Sequence, residues 1–144
     1  MAVSEGGTRL AVLVGGAVGT LGRALVGVWL PEAGPGWGWA TLVVNISGAL
    51  AMGLLVTWLA TRVTAPLVRP FAAVGVLGGW TTYSTFALDA TAVVGGHGVA
   101  NAVGYVVATL LIGVGASLAG LVLGERWFGL PPEMSDHVVT ADEL

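Results

Sequence analysis

The stretch Gly78-Gly79-Trp80-Thr81-Thr82-Tyr83-Ser84-Thr85-Phe86 lies inside an apolar run that extends from Pro70 to about Gly95. Two adjacent glycines followed by four serine or threonine hydroxyls are poor material for a regular apolar helix. Glycine costs backbone entropy there, and the hydroxyls compete for backbone groups. The sequence therefore predicts a helix that breaks near its middle, at Gly78-Gly79. Non-helical backbone at membrane depth is tolerated only where protein buries it or it lines a cavity, and carbonyls freed at such a break can coordinate a cation.

The flanking sequence identifies a membrane as the solvent. Of 144 residues, 56% are hydrophobic and 9% charged, with 24 glycines and a mean hydropathy of +0.90. A soluble domain carries about 25% charged residues and about 7% glycine. Apolar runs at 9–30, 39–60, 70–95 and 99–123 are each long enough for one helical crossing, which takes about 20 residues. The expected fold is an all-α membrane protein with four transmembrane helices per subunit, the third broken. Pro31, Glu32, Gly34 and Pro35 separate the first two spans, Arg62, Thr64, Pro66 and Arg69 the next two, and Gly95-Gly96-His97-Gly98 the last pair. Trp29, Trp37, Trp39, Trp58 and Trp127 fall near span ends, where indoles bridge the apolar layer and the headgroups. Residues 1–128 read as one transmembrane domain. The remainder, 129–144, contains Pro131-Pro132, Glu133, Asp136, Asp142 and Glu143, and reads as a solvated, disordered acidic tail. The first run is longer than a signal-peptide core and is expected to be retained.

Composition excludes several functions. The five basic residues are all arginine and the net charge is −3, so no clustered basic face exists for nucleic acid. Cysteine is absent, which removes disulfides and thiolate sites. A soluble catalytic domain has no room, and His97 and His137 lie outside the spans with no nucleophile beside them, so the chain does not read as an enzyme. Four spans put both termini and the second loop on one side with Arg9, Arg62, Arg69 and Arg126, while the first and third loops carry no arginine. The positive-inside rule then places both termini in the cytoplasm of a multi-pass cell-membrane protein. Small residues recur four apart at Gly15 and Gly19, Gly75 and Gly79, Gly113 and Ser117, and Gly120 and Gly124. That spacing lets helices pack closely in lipid.

Arg23 and Asp89 are the charged residues well inside the spans, at matching depth. They could pair with each other, Arg23 could line an anion-concentrating vestibule, or each could snorkel outward. Asn45 reads either as interhelical glue or as a pore-lining donor, with Thr41 on the same helical face. Tyr105 and Thr109 repeat that spacing in the fourth span, where Gly113 interrupts a stripe that Ser117 would prolong.

Together these residues resemble the CrcB/Fluc fluoride channel family across essentially all four spans. The resemblance is carried by Gly15-Gly16-Ala17-Val18-Gly19 with Arg23, by Thr41-x-x-x-Asn45-x-x-Gly48, and above all by GGWTTYSTF followed by Asp89. It implies an antiparallel, dual-orientation dimer whose two narrow pores are lined by both subunits, passively exporting fluoride to relieve its toxicity. Carried over by motif, Asn45 would be a pore donor, Tyr83 and Phe86 the flanking aromatic pair, and Thr41, Tyr105 and Thr109 a polar track. Ser84 would add a hydroxyl, and Arg23 would belong to the vestibule. Backbone carbonyls of Gly78 and Thr81 from both subunits would hold a structural sodium ion. Tyr83 departs from the family's usual phenylalanine, and Gly113 from a polar residue. The four-to-none arginine bias opposes insertion in both orientations, so the expected partner is a paralogue of reversed bias, otherwise a second copy. The rival readings are a proton-coupled small multidrug exporter, with Asp89 as its only candidate carrier, and a non-conducting membrane assembly subunit.

Overall fold

The computed structural model describes residues 4–30, 36–62 and 65–129. The expected first-loop turn residues 31–35, Thr64, and the acidic tail from residue 130 lie outside the described residues. Helix α1 spans Glu5–Trp29 and α2 spans Trp39–Thr61. Ser4 caps α1 by accepting from the Gly7 N–H at 3.2 Å, and Glu5 places negative charge at its positive end. Helix α3 begins with a π-wound segment, Pro70–Leu77, and continues as the α-turn Gly78–Trp80. Pro70 stands at its first position, where a missing N–H is of no consequence. Helix α4 is Tyr83–Phe128.

The break falls at Thr81 and Thr82, three residues beyond the glycines expected to cause it. Thr81 has ψ 157° and Thr82 has φ −147° and ψ 126°, both extended, whereas Gly78 is helical at φ −65° and ψ −33°. The glycines serve packing instead. A Cβ at Gly79 would lie 2.5 Å from the Gly16 carbonyl oxygen, and one at Gly75 would lie 2.9 Å from the Gly15 Cα. The α1–α3 contact is therefore backbone on backbone, as small residues at four-residue spacing permit. A second such contact joins α2 to the C-terminal limb of α4: a Cβ at Gly53 would strike the Ser117 carbonyl, and one at Gly120 the Leu50 carbonyl.

By hydropathy the described residues form three long apolar runs, because Pro70–Phe128 is a single run of 59 residues. The expected third loop is accordingly not a loop. Gly95, Gly96 and His97 remain helical, and the chain turns on Gly98 alone, at φ 82° and ψ 168°. Only glycine adopts such a conformation readily. A straight helix would hold Phe86 and Tyr105 roughly 28 Å apart, yet their ring centroids are 5.5 Å apart. The limb after Gly98 therefore folds back along the limb before it.

Polarity is inverted relative to a soluble domain. Thr41, Thr57, Thr82, Asp89 and Thr109 are buried, while Leu13, Leu21, Leu25, Leu110 and Leu111 are exposed on the outer surface. An apolar exterior around polar interior groups is the arrangement for a lipid solvent.

Candidate functional site

The break brings three helices together. The Asn45 side chain, on α2, grips Thr82 with two hydrogen bonds: its Nδ2 donates to the Thr82 carbonyl at 2.9 Å, and its Oδ1 accepts from the Thr82 N–H at 2.8 Å. Arg23, on α1, donates from Nη1 to the Thr81 carbonyl at 3.1 Å. These bonds satisfy the Thr81 carbonyl and the Thr82 N–H and carbonyl, among the backbone groups that the break removes from the helical ladder. The Trp80 Nε1–H adds a tie from α3 to α2 by donating to Ser47 Oγ at 2.9 Å. Thr82 also caps the next helix, its hydroxyl accepting from the Thr85 N–H at 3.2 Å and donating to Thr85 Oγ1 at 3.0 Å. A threonine three residues ahead of Thr85 at the entry to a helix is an N-cap signal readable in the sequence. Thr82 is not among the site residues expected from the sequence.

Beside the break lies an open groove of about 770 Å³, lined by Asn45, Gly78, Thr81, Tyr83, Phe86 and Thr109, among others. Gly113 and Ser117 continue it along α4. Tyr83 is 81% exposed there, and its ring stands 6.1 Å from that of Phe86. The Thr109 hydroxyl donates to the Tyr105 carbonyl at 2.7 Å, so its proton is engaged within its own helix and its oxygen is what it can offer the groove. Ser84 is exposed and its Oγ lies 3.3 Å from Thr82 Oγ1.

Other expected residues lie elsewhere. Tyr105 is fully buried and does not line the groove. Its ring sits between Phe86, at 5.5 Å, and Trp37, at 5.6 Å, and its hydroxyl donates to Asp89 Oδ2 at 3.4 Å. The Asp89 carboxylate packs against Gly38, so closely that a Cβ there would overlap Oδ2. Gly38 immediately precedes α2, which places the carboxylate at the positive end of that helix dipole. Arg23 and Asp89 do not pair; among the described residues the ion pair is Glu5 with Arg9, on the surface. Arg23 instead lines a second pocket of about 240 Å³ with Thr41, Thr82 and Thr85.

The break also offers oxygen ligands. Because the Thr82 N–H donates to Asn45, the Gly78 carbonyl four residues back loses its helical partner. The Thr81 carbonyl accepts from Arg23 and retains a second lone pair. Neutral oxygens of this kind suit a small hard cation, and among the described residues there is no cluster of histidines or acids that would suit a transition metal.

The profile of a family described as CrcB-like protein, camphor resistance, matches residues 10–121. A fluoride-specific ion channel FluC from Agrobacterium fabrum is 44% identical over 119 residues, covering 81% of this chain and 95% of that protein. A fluoride-specific ion channel FluC 2 from Nocardia farcinica is 43% identical over 122 residues, covering 82% and 84%. A FluC 1 from Nitrobacter hamburgensis is 42% identical over 114 residues, covering 78% and 90%.

Proposed function

The chain belongs to the CrcB-like protein family, and from that premise we propose that it is a subunit of a fluoride-selective channel that lets cytoplasmic fluoride leave the cell passively. The family is one of ion channels, not enzymes, and fluoride is what it passes. The observation that carries the reading to particular atoms is the Asn45 amide, held at the break and bordering the same groove as Tyr83 and Phe86. One of its two N–H groups is engaged by Thr82, and the other is free to meet an anion.

Fluoride is small and holds its water tightly. A selective pore must replace that shell with close donors and exclude larger anions by width. Asn45 and the Tyr83 hydroxyl supply donors in the groove, Thr41 a hydroxyl in the adjoining Arg23 pocket and Ser84 an exposed one beside Thr82, and the edges of Tyr83 and Phe86 carry the positive part of the ring quadrupole. Arg23 lies in the vestibule pocket, and its charge draws anions to the entrance without trapping them at the narrowest point. An inside-negative potential favours anion exit by about 2.3 kcal/mol per 100 mV, so no energy-coupling domain is required.

The finer architecture follows. Residues 1–128 form one domain of four crossings, with Gly98 dividing the third from the fourth, followed by a cytoplasmic acidic tail. The open groove forms one wall of a pore, and an antiparallel partner forms the other. The arginine bias favours one orientation for this chain, and hence a paralogous partner of opposite bias. Gly78 and Thr81 of both subunits would hold a sodium ion at the interface, where the ion would join the two breaks electrostatically.

Expression in a bacterium made fluoride-sensitive by loss of its own channel tests the proposal. Growth at inhibitory fluoride is expected, with the paralogue supplied where the chain does not suffice. No rescue by either, with the protein present in the membrane, would contradict it.

A further inference from the structure

The Thr81 carbonyl and the Thr82 N–H belong to one peptide group, and they are bound from opposite sides. Arg23 Nη1 donates to the carbonyl at 3.1 Å, and Asn45 Oδ1 accepts from the N–H at 2.8 Å. The chain has no cis peptide among its described residues, so the two bonds point in opposite directions from one plane. Arg23 and Asn45 thus sit at the two ends of a single hydrogen-bonded line: guanidinium, peptide, carboxamide. We propose that Arg23 is a positioning residue for Asn45, acting through this peptide plane to orient the carboxamide and to polarise it toward the anion.

The physical basis is directional. A cation on a carbonyl withdraws electron density through the amide and makes its N–H a stronger donor, and chains of such bonds strengthen one another in a low dielectric. The stronger Thr82 N–H in turn polarises the Asn45 carboxamide, whose free N–H becomes the better donor. Part of the Arg23 charge therefore reaches the groove as a dipole, while the ion itself stays in the adjoining pocket with Thr41, Thr82 and Thr85. The line also fixes which face Asn45 presents. Its Oδ1 is held by Thr82 N–H and its Nδ2 by Thr82 C=O, so the amide cannot flip without losing both bonds.

This inference rests on the fluoride-channel reading, and the test separates the two. Fluoride efflux is measured from proteoliposomes holding the assembled channel, for wild type and for Arg23→Lys, Arg23→Gln and Arg23→Met. In parallel, the Thr82 amide resonance is followed in protein labelled with ¹⁵N-threonine. A charge-assisted bond supports an effect of roughly tenfold, so Arg23→Met should lose about that factor in flux. Arg23→Gln, which keeps a donor without the charge, should fall between Met and Lys. The losses should persist at high salt, and the Thr82 amide proton should move upfield in Arg23→Met. A guanidinium acting only through its field on entering anions would give a different result. Gln would then equal Met, the difference would vanish at about 1 M salt, where screening acts within roughly 3 Å, and the Thr82 resonance would stay in place. Any one of these overturns the proposal. Should Arg23→Met fail to assemble, the order of Lys and Gln and their Thr82 shifts decide alone. A wild type that passes no fluoride refutes the channel reading, and the Thr82 shift still tests the hydrogen-bonded line.

Discussion

The Asn45 carboxamide and the Thr82 backbone are matched donor to acceptor and acceptor to donor, at 2.9 and 2.8 Å. One side chain on α2 therefore closes the gap in the backbone ladder between α3 and α4. Asn45→Asp keeps the shape and the acceptor but replaces the donor with an oxygen facing the Thr82 carbonyl. Losing a part-buried bond and adding repulsion costs on the order of 3 kcal/mol, so fluoride flux should fall by about two orders of magnitude. Flux assays with gel filtration of the same sample distinguish this from loss of assembly. A conducting Asn45→Asp channel would show that the clamp is dispensable.

Backbone-on-backbone packing of Gly53 with Gly120 makes a second prediction. Gly53→Val places a side chain against the Ser117 carbonyl and should destabilise the fold by about 1–3 kcal/mol or more. Gly113→Ala is the matched control, since nothing lies within 4 Å of its added carbon; it should be neutral or stabilise the helix by up to about 1 kcal/mol. Thermal unfolding in detergent compares the pair.

Gly113 lies between Thr109 and Ser117 on the groove wall, with open space beside it. Gly113→Ser fills the gap in the hydroxyl stripe, and its Cβ meets no atom of this chain. One added donor contributes on the order of 0.5–1 kcal/mol to an ion's passage, so flux should rise about twofold to fivefold. A fall in flux would mean that this face requires width rather than donors.

Asp89 meets both Tyr105 and the start of α2 through one oxygen, Oδ2, whose place an amide oxygen can take. Asp89→Asn should therefore keep fluoride flux within roughly fivefold, the loss being one helix-dipole contact of about 1 kcal/mol or less. A proton-coupled exporter with Asp89 as carrier would instead lose all pH-driven transport, and vesicles under a pH gradient separate the outcomes.

Much of this was legible in the sequence because it depends on residue types in order along the chain. The apolar runs, the glycine spacing and the unusual stretch at 78–86 all announce themselves in one dimension. The position of the break did not, because two effects compete over five residues. Glycine weakens a helix, but Gly78 and Gly79 are more useful where α1 needs a bare backbone, and Asn45 draws the Thr82 N–H out of the ladder instead. Arg23 and Asp89 match in depth, yet depth says nothing about direction around a helix, and each found a different partner. Tyr105 shares a spacing with Thr109, but the turn at Gly98 carries its ring into the core against Phe86.

Fluoride efflux from proteoliposomes, measured against chloride, bears most directly on the function, with the chain reconstituted alone and with a paralogue of reversed charge bias. The expected result is rapid release of fluoride with chloride retained, stronger in the co-reconstituted sample. Release of neither ion above protein-free vesicles in both samples, or equal release of both ions, would contradict a fluoride-selective channel.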